Sequence, residues 1–214
     1  EVYMKRVFLA LVVLSLISVV PVASLEFSDL HVSFGKWELN NQRLYQKDLE
    51  AGMARIDIPA PQAGSMVYEF NVRYQDGGVE DLHGGFGVHI FVDEFSKGRA
   101  WGNGNSYLLW LNYDANPKGI TKGFSAQVYK STSHSRMELL ADFDLNEYAF
   151  LLTEENMNAI IPVKMVVNGF TGDVKIYDPT DSTYVYKFNL GNTKALTGNF
   201  ISLRTNSLGL SFGM

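Results

Sequence analysis

The stretch Val163-Lys164-Met165-Val166-Val167-Asn168-Gly169-Phe170-Thr171-Gly172-Asp173-Val174-Lys175-Ile176-Tyr177 decides the fold. Val163, Met165 and Val167 share one parity, a turn spelled Asn-Gly-Phe-Thr-Gly-Asp follows, and Val174 and Ile176 resume the alternation. Period two on both sides of an Asn/Gly turn is the pattern of an antiparallel hairpin with one buried face. Tyr184, Tyr186, Phe188 and Leu190 continue it, and residues 200–204 and 208–212 supply two more β-patterned runs.

The same period extends upstream. Met66, Tyr68, Phe70, Val72 and Tyr74 alternate with Glu69, Asn71 and Arg73; Phe86, Val88, Ile90 and Val92 with Gly87, His89, Phe91 and Asp93; Tyr107, Leu109, Leu111 and Tyr113 with Leu108, Trp110 and Asn112. Phe124, Ala126 and Val128 alternate with Gln127 and Tyr129. Turn chemistry separates the runs at Asp76-Gly77-Gly78, Gly102-Asn103-Gly104-Asn105 and Asn116-Pro117-Lys118-Gly119. Many short strands spaced by such turns predict an all-β, two-sheet antiparallel sandwich. The predicted core includes Tyr68, Phe70, Val88, Ile90, Leu109, Leu111, Val128, Val167, Ile176 and Phe188. In residues 137–158, Leu139, Leu140, Phe143 and Leu145 suit a strand, while residues 146–158 leave a short helix and an ordered loop both open.

Composition bounds the function. The 214 residues are 46% hydrophobic, enough for one well-filled core and no second domain of any substance. Met4-Lys5-Arg6, the apolar run 7–20 and Pro21-Val22-Ala23-Ser24 read as a secretory signal peptide cut after Ser24, with Glu1, Val2 and Tyr3 ahead of the expected initiator Met4. Residues 1–24 are therefore expected to leave, and residues 25–214 to form a single β-sandwich domain, exported to the periplasm or the extracellular space. No other stretch is apolar enough to span a bilayer. Without Glu1, Lys5 and Arg6 the remainder holds 16 basic and 22 acidic residues, a net charge of −6, and with no Lys/Arg run it is a poor partner for nucleic acid. There is no cysteine, which excludes disulfides and thiolate metal sites.

Several blocks carry a family resemblance: Gly64-Ser65-Met66-Val67-Tyr68-Glu69-Phe70, Gly84 through Ile90, Ser106-Tyr107-Leu108-Leu109, the hairpin quoted above, and Gly198-Asn199-Phe200-Ile201-Ser202-Leu203-Arg204-Thr205. Together they resemble the concanavalin A-like lectin/glucanase superfamily, the last two blocks its laminin G-like members. The resemblance implies a jelly roll with one concave sheet. It rests on core and turn patterns and implies little about chemistry.

No catalytic apparatus is legible. Glucanases of that superfamily carry Glu-x-Asp-x-x-Glu on one strand, which sets nucleophile and acid/base on one face, and no Glu here is followed by Asp two positions later. Glu80-Asp81 and Asp93-Glu94 are adjacent pairs that a strand would point to opposite faces. His31, His83, His89 and His134 have no metal-ligand spacing. Asp173, Asp178 and Asp181 crowd the turns after Asn168, where either a Ca²⁺ site or ordinary side-chain to backbone turn bonds would use them; no other cofactor is indicated.

Binding residues are sought among the outward positions. If Phe86, Val88 and Ile90 face the core, then His89, Phe91, Trp110, Asn112, Gln127 and Tyr129 face away from it. Of these, His89, Trp110, Asn112, Gln127 and Tyr129 have the rings, amides and imidazole that a concave sugar-binding face uses. The alternative is that loops bury this face too. Trp101, with Asn103 and Asn105 in the Gly/Asn-rich loop, is the second candidate. The expected function is an exported, non-catalytic carbohydrate-binding or adhesion module with a glycan partner. The alternatives are a structural subunit of an envelope or surface filament, such as a periplasmic flagellar sheath, with another envelope or surface protein as partner, and a polysaccharide hydrolase with a non-standard site.

Overall fold

A computed structural model describes residues 26–79 and 81–213. The expected signal peptide, residues 1–24, lies outside the described residues, as does Glu80. The strands in chain order are β1 (His31–Phe34), β2 (Trp37–Asn40), β3 (Arg43–Gln46), β4 (Ala54–Ala63), β5 (Ser65–Gly77), β6 (His83–Val92), β7 (Asn105–Asp114), β8 (Gly123–Thr132), β9 (Met137–Asp144), β10 (Ile160–Asn168), β11 (Asp173–Tyr177), β12 (Val185–Asn189), β13 (Thr197–Asn206) and β14 (Leu208–Gly213). They form two seven-stranded antiparallel sheets, in the orders β1-β4-β13-β6-β7-β8-β9 and β12-β11-β10-β5-β14-β3-β2.

The deciding hairpin is β10–β11, with Met165 opposite Ile176 and Val167 opposite Val174. Its turn is set by Asn168, whose Oδ1 accepts from the N–H groups of Phe170 and Thr171 at 2.9 and 3.2 Å, and by Gly172 at φ +78°. On β5 the parity is as expected: Tyr68, Val72 and Tyr74 are buried, whereas Val67 is exposed and Glu69 pairs with Lys164 across the ladder. Residues 146–158 hold two short 3₁₀ turns, Asn146–Leu152 and Glu154–Asn156, which bring Leu152 into the core.

Of the ten predicted core residues, Tyr68, Val88, Ile90, Leu109, Val128 and Val167 are buried between the sheets. Phe70, Leu111, Ile176 and Phe188 pack against that core but stay half-buried, and all four line a cleft that the sheets leave open between the edge strands β9 and β12.

Phe91 departs from the expected alternation. Strict alternation puts it outward with His89, yet it belongs to the core cluster at 3% exposure. The cause is a bulge: Ser202 pairs with His89 and Phe200 with Val92, so β6 carries one residue more than β13, and Phe91 takes φ +53° and turns inward. Gln62 holds the bulge. Its Oε1 accepts from the Phe91 N–H at 2.9 Å and the Tyr68 hydroxyl at 2.8 Å, and its Nε2 donates to the Phe200 carbonyl at 2.7 Å.

Candidate functional site

The outer face of the first sheet gathers the expected outward residues. Across the central strands, Arg55 of β4 stands opposite Arg204 of β13, Arg204 opposite Gly87 of β6, Gly87 opposite Trp110 of β7, and Trp110 opposite Gln127 of β8. One row along, Asp57, Ser202, His89, Leu108 and Tyr129 are aligned in the same way.

Glycines shape the seat of Trp110. A Cβ at Gly85 would stand 2.7 Å from indole Cε2, and one at Gly87 would stand 2.9 Å from Cε3, so the ring lies across bare backbone of β6. Trp110 is therefore 8% exposed, with Nε1 donating to Asn112 Oδ1 at 3.1 Å. Gln127 is buried as well, taking the Tyr129 hydroxyl at 2.8 Å and donating to Ser125 Oγ at 3.2 Å.

Residues 93–104, between β6 and β7, fold back over the other half of this face. Beneath them lies the buried pair Arg55 and Asp57, Nε to Oδ1 at 3.4 Å. Asp57 also accepts from Ser33 Oγ at 2.6 Å, Ser202 Oγ at 2.5 Å and Asn103 Nδ2 at 3.3 Å. Arg55 reaches up to the Ser96 carbonyl at 2.7 Å and the Gly102 carbonyl at 3.4 Å. A buried charge pair is stable only when its remaining donors and acceptors are also met; here Ser33 and Ser202 meet part of the Asp57 carboxylate, and the loop supplies Asn103 to Asp57 and the Ser96 and Gly102 carbonyls to Arg55. Asn103 is accordingly a fully buried staple, also accepting from the Ser96 N–H at 3.1 Å. Asn105 is exposed but spends its amide and N–H on Asp93, at 2.6 and 2.8 Å.

His89 lies under this cover with no exposed surface. Ser106 Oγ donates to the Asn103 carbonyl at 2.9 Å, so it accepts from His89 Nδ1 at 3.0 Å, which fixes the Nδ1–H tautomer. Burial, then the charges of Arg204 and Arg55, hold the imidazole pKa well below its usual value, so it is neutral.

Open to solvent are Trp101, 43% exposed, and the partly exposed Tyr129 and Asn112. Trp101 meets the Tyr129 ring edge-on at 6.1 Å. The Arg204 guanidinium lies 5.4 Å from the Trp101 ring and 5.8 Å from that of Trp110. Burial, and after it the charge of Arg55, lower the Arg204 pKa to about 9, which still leaves it cationic at neutral pH. The two candidate sets thus meet around Arg204 in one ledge: Trp101 and Tyr129 at one end, Trp110 as the floor, and Asn112, bonded to the Trp110 indole, at the other end. His89, Gln127 and Asn103 are buried support and Asn105 is a turn brace; of the two readings of this face, open to a ligand or buried, the second holds for His89, Trp110 and Gln127. Arg204, Arg55 and Asp57 escaped the sequence reading, although a charged residue inside an otherwise alternating strand was a visible signal.

The three aspartates are occupied by turn donors. Asp173 Oδ2 accepts from Thr171 Oγ1 at 2.6 Å, Asp181 Oδ1 from Thr183 Oγ1 at 2.7 Å, and Asp178 Oδ1 from the Thr180 N–H at 2.7 Å. No group of three metal-ligating side chains is found among the described residues. Asp93 braces Asn105, and Asp81 is exposed.

No protein-family model matches the chain, and no curated protein does. Solved structures do. The carbohydrate binding module CBM66 from Bacillus subtilis superposes with a TM-score of 0.56 at 14% identity, over 86% of this chain and 92% of that one. A Bacillus subtilis protein of unknown function with a galectin-like fold gives 0.57 at 13%, over 87% of both chains. The fold is the concanavalin A-like jelly roll. Lectin I-B4 from Griffonia simplicifolia, in its metal-free form, matches this jelly roll with a TM-score of 0.50 at 10% identity, over 87% of this chain and 91% of its own.

Proposed function

We propose that the chain is an exported carbohydrate-binding module whose ligand rests on the Trp101, Tyr129 and Asn112 ledge. The observation that carries this reading is the Trp101 indole, exposed on one side and backed by the Arg204 guanidinium on the other. A planar ring held rigid by a stacked cation suits the apolar face of a pyranose, and Asn112 Nδ2, which has no protein partner among the described residues, suits a hydroxyl oxygen. The jelly roll is shared with a carbohydrate binding module and a lectin, which supports the class of ligand. Export rests on the positive start and apolar run of residues 4–24, and no helix among the described residues is long and apolar enough to cross a membrane.

A glycan array probed with residues 25–214 tests the reading. Saturable retention of at least one glycan, lost in Trp101→Ala, is expected. An empty array overturns it and leaves the envelope or filament subunit as the reading to pursue through co-purification.

A further inference from the structure

The cleft between β9 and β12 has a volume of about 220 Å³ and lies on the inner side of the sheet whose outer side carries the ledge. It is lined by Phe70, Leu111, Ala126, Val163, Ile176 and Phe188, residues patterned as core that stay only half-buried. An apolar cavity of roughly 150 Å³ stays dry and takes up benzene, and this one is larger. Phe143 of β9 and Phe188 of β12, 6.2 Å apart, stand at the gap between the two edge strands, and Phe143 is 43% exposed. Lys187 also borders the cleft, but it alternates with Tyr186 and Phe188, so its side chain points away from the interior.

Polar groups gather on one side, around Asp178. Tyr148 donates to its Oδ2 at 2.7 Å, Tyr186 reaches the same oxygen at 3.1 Å, and the two hydroxyls are 3.1 Å apart. Oδ1 is filled by Thr180 and the Asp181 N–H. Both phenol protons are thus directed toward the carboxylate or each other, which leaves only lone pairs and a negative charge facing a ligand. Such an entrance accepts hydrogen bonds and offers none.

We infer that this cleft binds a single alkyl chain carrying a hydroxyl or ammonium head group, the chain between the sheets and the head at Tyr148, Asp178 and Tyr186. Anionic heads are excluded by the same carboxylate. The cleft uses none of Trp101, Tyr129 and Asn112, so failure of this inference leaves the sugar reading standing.

Isothermal titration with 1-octanol, octylamine and sodium octanoate tests it. One molecule of octanol or octylamine per chain is expected, with octanoate at least tenfold weaker. Ala126→Phe, which fills the cleft, should weaken octanol at least tenfold while leaving the far-ultraviolet spectrum unchanged, and Asp178→Asn should bring octanoate within threefold of octanol. The inference is overturned by no saturable heat for octanol and octylamine, by equal binding of octanoate, or by a folded Ala126→Phe that binds as wild type. Should Ala126→Phe not fold, undiminished rejection of octanoate by Asp178→Asn overturns it alone. Sedimentation that shows a dimer broken by Phe143→Ser would assign the cleft to a second copy and likewise overturn it.

Discussion

Arg204 donates through Nη1 to the Trp101 carbonyl at 2.5 Å while its guanidinium lies 5.4 Å from the indole of the same residue. One buried cation therefore fixes both the backbone and the ring of the residue at the rim. Lysine cannot reproduce this, because a point charge lacks the planar fork that bonds and stacks at once. Arg204→Lys is expected to weaken glycan binding about tenfold, a loss of roughly 1.4 kcal/mol, and titration against the best array ligand measures it.

Trp101 itself should be energetically cheap to remove. An exposed ring contributes contact area to a ligand and little to the core, so Trp101→Ala should abolish binding while changing stability by under about 1 kcal/mol. Trp37 and Trp110 are each 8% exposed, so acrylamide quenching of the wild type should come chiefly from Trp101 and fall in Trp101→Phe. Quenching that persists in the variant would mean that Trp110 is the open ring.

Gly85 and Gly87 should resist any side chain. Their bare backbone seats the Trp110 indole, and a methyl at Gly85 must displace the ring. Gly85→Ala is expected to cost about 1–3 kcal/mol by overpacking and to raise the exposure of Trp110, read as a red shift in emission and a lower midpoint in urea.

Much of this was legible in the chain. Alternation placed Tyr68, Val88 and Leu109 inward and His89 and Trp110 on the opposite face, because strand parity is a local property. Whether that opposite face is open is not local. It depends on residues 93–104 meeting Arg55 and Asp57 from β4 and Ser202 and Arg204 from β13, contacts between residues up to 103 positions apart. Phe91 was misplaced for a related reason: its bulge is held by Gln62, 29 positions away, and parity fails wherever a strand gains a residue.

The Arg55 and Asp57 pair makes the loop cover conditional. Asp57→Ala strands a buried guanidinium and should destabilise by about 3–5 kcal/mol, whereas Arg55→Met with Asp57→Leu removes both charges and should be milder than Asp57→Ala alone. Hydrogen exchange in residues 93–104 should rise in the single variant, and chemical denaturation of both variants checks the order. A double variant less stable than the single one would mean that the loop depends on the charges themselves.

His89 should couple stability to pH. Its folded pKa is depressed by burial and then by Arg204 and Arg55, whereas in the unfolded chain it titrates near 6.5. Below that value the unfolded chain binds a proton that the folded chain refuses, so stability is fully present above pH 6.5 and falls as the pH drops toward the folded pKa. The slope contributed by this one group approaches about 1.4 kcal/mol per pH unit. The other histidines are at least partly exposed, so the difference between wild type and His89→Gln isolates the effect. Urea denaturation at steps from pH 7.5 to 5.0 should show wild type losing stability faster than His89→Gln below pH 6.5. Parallel curves would mean that His89 accepts its proton in the folded state, and that the cover formed by residues 93–104 opens to let it.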